Sequence, residues 1–436
     1  MGWQNKQTVC VGSVFFPGSL PPRAADFEYL SRLGVEIRPM RPPDHLQWEL
    51  ELNHRLWGQA RLLCVRDEPP PPHFLLDWDP RLTDQERAEA RRGRCSVVVT
   101  VQGVRGNVLR DRKNLFRYLR AIMGDDAVVS LDLTASRFWS RAALDDELCH
   151  DADLDVESLY VMHVVGPEGR EGRPQWAHSH GLAELGFFDF DVLQPTEQLG
   201  SGAADAFRAV AFSIVEGRAQ RSMALLSVAS NGGDVRMVDV CEFNRRASPE
   251  AVALRDSDEF HNRNRSILCE PQQGLFARWF GRVQPSRFFS QPIDDNTVFF
   301  FSNEASALMA ERARLTWAQG WQYARELEEF QCLCLAKLSY RTDGGAETDY
   351  EHLWFRVHDC RNDRLDATLI NDPIYIARMS NGQRGWHDLE LLSDWTIITP
   401  VGWINPRNFV PLRIIRANAD ELRRLVKEAG QEHSNA

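Results

Sequence analysis

Residues 303–330, NEASALMAERARLTWAQGWQYARELEEF, run into CLCLAKLSY at 332–340 and then, beyond a turn-rich gap, EHLWFRVH at 351–358. The first piece repeats its apolar residues every three or four positions, and the last alternates them. Asn303 is an oxygen-bearing residue of the kind that caps a helix, so a helix is expected from Glu304 to about Glu328. Met309, Ala313, Trp317, Trp321 and Ala324 fall on one stripe of it, which Leu308 and Leu315 widen. A stripe holding two tryptophans needs a broad apolar partner, and a sheet supplies one. Strands are expected at Cys332–Tyr340, Glu351–His358, Leu365–Ile370 and Trp386–Leu392. Within the second, Leu353, Phe355 and Val357 alternate with His352, Trp354, Arg356 and His358. The fold class is therefore α+β and multidomain: N-terminal mixed α/β domains, then a C-terminal helix packed on an antiparallel sheet.

Upstream, QTVCVGSVFF (7–16) reads as a strand and Ala24–Leu33 as a helix, with short strands at Gln47–Asn53 and Ala60–Arg66. Pro69–Pro72 forbids a regular element. Thr83 and Glu86 form a capping box for a helix to about Arg92. Cys95–Gln102 is a β-branched run, Val108–Met123 has helical periodicity, and Ala127–Leu133 is the next strand. Gly200-Ser201-Gly202 reads as a flexible linker, then Phe207–Val215, Met223–Ser230 and Val235–Phe243 as strands. Asn231-Gly232-Gly233-Asp234 is a hairpin turn between the last two. Residues 245–292 are irregular and rich in arginine, Arg255 and Arg265 among them, with acidic residues interspersed as on a solvated or salt-bridged surface. Thr297–Phe301 reads as a strand and Asn418–Ala429 as a short charged helix. These elements divide the chain into a mixed α/β part at 1–195 (with a possible break near 70–95), a β-rich middle at 196–296, a C-terminal domain at 297–411 and a helix and tail at 412–436.

The chain has 43% hydrophobic and 26% charged residues, the balance of a globular protein, and 13 Trp and 23 Phe supply large cores. A formal net charge of −11 argues against nucleic acid as the main partner. No apolar run reaches the ~18 residues of a membrane span, and the first residues lack the basic and apolar regions of a secretory signal. Lys6 stands where a myristoylation signal needs Ser or Thr. The nine cysteines are scattered, with Cys332 and Cys334 nearest, and read as reduced thiols in a cytoplasmic protein.

From Ser302 to Ile398, the pieces ALMAERARLTW, YEHLWFRV, LDATLINDPIYI and LLSDWTII follow in an order that resembles the YegJ-like domain, a bacterial domain of unknown function. Residues 125–193, through LYVMHVV and WAHSHGLAELGFFDFDVL, resemble a second uncharacterised bacterial domain often placed ahead of it. The resemblance implies a bacterial cytoplasmic protein, with a possible setting in immunity systems, and supplies no activity, cofactor or catalytic residue.

Two groups of residues offer chemistry. His178 and His180, in WAHSHG, put two imidazoles on one face of an extended strand, as metal sites do. His163, Asp189 or Asp191 would supply a third ligand, and an open position would then activate water. Against this, a His-x-His pair is common and suits packing, so no metal or other cofactor is expected and the pair is expected not to converge with a third ligand at metal-bond distances of ~2.0–2.2 Å from a common point. The second group is Glu351, His352, Trp354, His358 and Trp395, read as an interaction face in which Asn371-Asp372-Pro373 and Ser393-Asp394 are turns. Phosphate-loop, dinucleotide, zincin and nucleophile-elbow motifs are absent from the sequence. The leading reading is a non-enzymatic protein acting by protein–protein interaction, an immunity or accessory factor with no catalytic residue. The alternatives are a metal-dependent hydrolase built on His178 and His180, and a scaffold without a discrete site.

Overall fold

The computed structural model describes residues 9–65, 72–79, 81–103, 108–166, 175–194, 201–230, 232–255, 261, 263–272, 281–290, 299–345 and 350–424. The chain divides into two compact units. The first comprises 1–75, 89–141 and 154–302, and the second 76–88, 142–153 and 303–436.

The first unit contains two sheets. One has seven antiparallel strands in the order β2-β3-β4-β5-β1-β6-β7: β1 (Val9–Phe16), β2 (Val35–Met40), β3 (Leu46–His54), β4 (Gly58–Val65), β5 (Cys95–Gln102), β6 (Val129–Asp132) and β7 (Arg137–Trp139). Of the helices α1 (His73–Trp78), α2 (Asp84–Ala90) and α3 (Val108–Met123), it is α3 that lies on β1 and β5. It buries Leu109, Phe116, Leu119, Ile122 and Met123, the stripe its sequence spacing marks. Gly12 in β1 faces Leu119, whose methyl carbon would lie 3.0 Å from any added Cβ, so the glycine lets helix and strand approach. The Ala24–Leu33 segment is helical, as a 3-10 helix closed by Gly34.

The other sheet has six strands in the order β11-β12-β13-β10-β9-β8: β8 (Val161–Val165), β9 (Trp176–His180), β10 (Asp189–Leu193), β11 (Met223–Ser227), β12 (Asp234–Asp239) and β13 (Arg265–Cys269). Its pairs are antiparallel except β10 with β13. Strands from both sides of residue 195 share this sheet, so the break drawn there falls inside one layer. β11 and β12 form the hairpin the Asn-Gly-Gly-Asp signal announced; Asn231 itself lies outside the described residues. The segment 207–215, read as a strand, belongs to α5 (Ser201–Val215). This helix buries Ala206, Phe207, Ala209, Val210, Phe212, Ile214 and Val215 on nearly every side, so it has no polar face to reveal a helical period. Ser201, read as linker, opens that helix, and Gly200 lies outside the described residues. α6 (Val240–Arg246) and α7 (Pro249–Val252) follow β12, and Phe243 and Val240 pack with Trp176, Leu193, Val238 and Ile267 on one face of the sheet. The expected strand Thr297–Phe301 lies partly outside the described residues; Phe299 forms an isolated bridge with Ala229.

The second unit is the expected helix on an antiparallel sheet. α4 (Arg141–Leu148) enters it, and α8 (Asn303–Glu326) crosses β18 and β14 of a six-stranded sheet ordered β17-β16-β15-β14-β18-β19. These strands are β14 (Leu333–Arg341), β15 (Tyr350–Arg361), β16 (Arg364–Leu369), β17 (Arg384–Asp388), β18 (Leu392–Thr399) and β19 (Gly402–Ile404), and α9 (Val410–Ala417) follows. Trp317 is 2% exposed, and its indole nitrogen donates to Cys360 Sγ. The segment Trp386–Leu392, expected as one strand, is two. β17 ends at Asp388, a 3-10 turn spans Leu389–Leu391, and β18 begins at Leu392. Ser393-Asp394 is thus strand rather than turn. Segments 76–88 and 142–153 join this unit through ion pairs: Arg312 with Glu147 at 2.6 Å, Arg413 with Glu86 at 3.1 Å, and Arg413 with Asp146. The helix expected over Asn418–Ala429 is seen at 419–424, and its remainder lies outside the described residues.

None of the nine cysteines, all described, is in a disulfide. No helix among the described residues is long and apolar enough to cross a membrane.

Candidate metal centre

β9 is held between β8 and β10, and its alternation places Trp176, His178 and His180 on one side with Ala177 and Ser179 on the other. Gly181 ends the strand at φ +122°, and an added Cβ would sit 2.4 Å from the Leu159 carbonyl oxygen, so only glycine makes this exit. In β8, His163 stands directly opposite His178. Cross-strand partners share a face, and three imidazoles therefore meet. Their ring centroids lie 5.3 Å apart for His163 and His178, 4.9 Å for His163 and His180, and 4.7 Å for His178 and His180. One ring nitrogen from each falls within 4.8 Å of the others, the one such group of potential metal ligands among the described residues. The β8–β9 register is what brings His163 beside His178 and His180.

His178 and His180 are buried, His178 the more so at 3% exposure, and His163 is half-buried. Burial, reinforced by His180, Arg265, His163 and His261, holds the His178 imidazole far below its ordinary pKa. It is therefore neutral, the protonation state a metal ligand needs. Its Nδ1 has no hydrogen-bond partner. Leaving a buried polar atom unmatched costs about 1–3 kcal/mol, and coordination would satisfy it. Tetrahedral ligation at ~2.1 Å sets ligand nitrogens about 3.4 Å apart, inside the 4.8 Å that spans the present trio.

The two carboxylates do not join the imidazoles. Asp189 accepts from Ser179 Oγ at 2.7 Å and from the backbone of Leu182 and Ala183. Burial, opposed by Arg265 and these bonds, pushes it up to about 6. Asp191 is fully buried and accepts from Arg265 Nη1 at 2.6 Å and Arg255 Nε at 3.0 Å. The two arginines, read from sequence as part of a solvated or salt-bridged surface, are indeed salt-bridged, but in the interior.

Sequence reasoning missed His261. Its ring lies 5.1 Å from that of His178, 5.5 Å from that of His180 and 4.9 Å from that of Trp176. Arg255 Nη2 donates to its carbonyl oxygen. His261 lies far downstream in an irregular segment, where no spacing relates it to WAHSHG.

In the second unit the proposed face divides. His352, Trp354 and His358 lie on the side of β15 away from α8, where Lys337 sits over the Trp354 ring at 5.4 Å, whereas Glu351 falls in the row of Leu353, Phe355 and Val357 on the other side. His352 pairs with Ser393 Oγ at 2.9 Å, and His358 with Thr368 Oγ1 at 2.8 Å. Glu351 accepts from the backbone N–H of Ile374 and Tyr375 at 2.7 and 2.9 Å. Trp395 is not on that face. It is fully buried beneath α8, donating to Thr316 Oγ1 at 3.0 Å with its ring against Gly320. Reading Ser393-Asp394 as a turn concealed the strand that points Asp394 outward and Trp395 inward.

Residues 305–402 match DUF2314, a family described as an uncharacterized protein conserved in bacteria. The match spans under a quarter of the chain and lies within the second unit. It supports an uncharacterised bacterial domain there and does not carry the YegJ-like name. Comparison with curated proteins and with solved structures gives no match.

Proposed function

We propose that this protein binds a divalent transition-metal ion through His163, His178 and His180. The observation that carries this reading is the meeting of three imidazoles on one sheet face, two of them buried, with the His178 Nδ1 unmatched. Imidazole nitrogens suit zinc, nickel, copper and iron rather than magnesium or calcium. Binding is favoured over metal-dependent hydrolysis because Asp189 and Asp191, the carboxylates that would serve as bases, are engaged elsewhere. The test is elemental analysis of the full chain after growth with added zinc, then re-titration of the stripped protein. About one equivalent per chain is expected, falling to none in His163→Asn and His178→Asn variants that keep their circular dichroism. A wild type that retains no metal and takes none up removes the reading.

A protein-binding role for the second unit has its own support. Ile374 and Tyr375 are 77% and 63% exposed on a loop pinned by Glu351 and by Asp343, which accepts from the Ala377 N–H at 2.8 Å. Apolar side chains on a pinned loop lose little entropy on docking. An immunity or accessory role in the bacterial cytoplasm would operate through this loop. Affinity capture with the full chain and with Ile374→Asp/Tyr375→Ala tests it. A partner retained equally by both would place the interface elsewhere.

A further inference from the structure

We infer that His261 is the fourth ligand of the proposed metal site, so that the centre is a closed four-histidine site that ties the residue-261 turn to β8 and β9. This rests on the metal reading of the preceding section and goes beyond it in saying what the ion does.

Ring spacing carries the argument. With metal–nitrogen bonds of ~2.0–2.1 Å, each imidazole centroid stands roughly 3.2 Å from the ion, and a tetrahedron of such rings has edges of about 5.2 Å. His163, His178 and His180 are separated by 4.7–5.3 Å. His261 stands 5.1 Å from His178 and 5.5 Å from His180. These five of the six separations bracket the tetrahedral value; His261 lies outside the trio whose nitrogens fall within 4.8 Å of one another, so the edge from His163 to His261 is the one that metal binding would draw in. His178 adds a second, independent sign of a ligand: a side chain 3% exposed whose Nδ1 has no hydrogen-bond partner.

The surroundings of His261 are built to hold it there. Asp191, fixed in β10, binds Arg255 Nε, and Arg255 Nη2 donates to the His261 carbonyl oxygen. Arg265, which follows the turn at the start of β13, binds the other oxygen of the same carboxylate. The chain on both sides of His261 is thus anchored to the strand paired with β9. Ligand orientation of this kind, set by groups behind the ligands, is how metal affinity is tuned.

Four imidazoles leave no position for water. Structural metal sites are closed, whereas catalytic ones keep an open position. The bound ion would act as a cross-link between the turn and the sheet, and its loss would release the turn. The ligand class is a tetrahedral, nitrogen-preferring dication, with zinc the first candidate and cobalt a spectroscopic substitute.

The test uses the full chain stripped of metal, titrated with zinc against a chromophoric chelator, as wild type and as His163→Asn and His261→Asn. His261→Asn is expected to weaken zinc binding by about tenfold or more. Cobalt-loaded wild type is expected to show the intense visible bands of a tetrahedral centre, shifted in the His261→Asn variant. A readout that needs no variant is carbethoxylation of histidines followed by peptide mass analysis, in which zinc should protect His261 of the wild type. If zinc binds, His163→Asn abolishes binding, and His261 is neither protected nor needed for affinity, the inference falls and the three-histidine reading stands. If wild type takes up no zinc or cobalt, both fall.

Discussion

Replacing Asp191 with asparagine tests whether the interior beside the histidines rests on a buried charge. The substitution keeps the shape, removes the negative charge and turns one acceptor into an N–H donor facing a guanidinium. Asp191 has no exposed surface, Arg255 none on its side chain, and Arg265 2%. Of the two charge-assisted hydrogen bonds, at 2.6 and 3.0 Å, one is replaced by an N–H facing a guanidinium and the other loses the carboxylate's charge. Each such bond contributes about 1.5–3 kcal/mol, and removing one partner of a buried ion pair costs ~3–5 kcal/mol, because the charge left behind is uncompensated. A whole domain is stable by only about 5–15 kcal/mol, so Asp191→Asn is expected to remove a large part of the first unit's stability. Hydrogen–deuterium exchange of metal-free protein, read on peptides of β9, β10 and β13, measures this separately from the second unit. Replacing all three members together, as Asp191→Leu, Arg255→Met and Arg265→Met, is expected to recover most of the loss, since an apolar set of similar volume leaves no orphan charge. A loss below about 1 kcal/mol in Asp191→Asn would refute the reasoning, because it would mean the carboxyl carries no charge in the fold.

Gly320→Ala is expected to destabilise the second unit by about 1–3 kcal/mol through overpacking, because the new methyl carbon would lie 2.8–2.9 Å from ring atoms of Trp395. Thermal unfolding checks it, and an unchanged midpoint would mean α8 lifts from β18 freely. Asp146 is pushed up to about 6, mainly by burial, with Arg413 opposing and Glu147 and Glu86 adding. A carboxyl raised in the fold contributes stability that is full below its unfolded value near 3.8 and is lost as pH rises through about 6. Asp146→Asn is therefore expected to flatten the second unit's stability between pH 4 and 7, by up to ~3 kcal/mol across that window; urea titrations at several pH values that leave the slope unchanged would reject this.

Local periodicity made the second unit largely legible. The tryptophan stripe of 303–330 marked α8, and alternation in β15 marked Leu353, Phe355 and Val357 as inward, because a residue's own strand or helix fixes which side it faces. The same rule placed His178 and His180 together. It failed for Phe207–Val215, where a helix buried all round has no period to read, and for Trp395, where a strand opening on Ser393-Asp394 was taken for a turn. Other facts belonged to tertiary structure alone. His163 meets His178 only through the β8–β9 register, and Arg255 and Arg265 meet Asp191 only because β10 lies parallel to β13. His261 meets the other rings only because its turn folds onto that sheet. Spacing along a chain encodes a face, whereas partners across strands are chosen by pairing among distant segments, and the burial that keeps an imidazole neutral or an arginine paired exists only after that pairing.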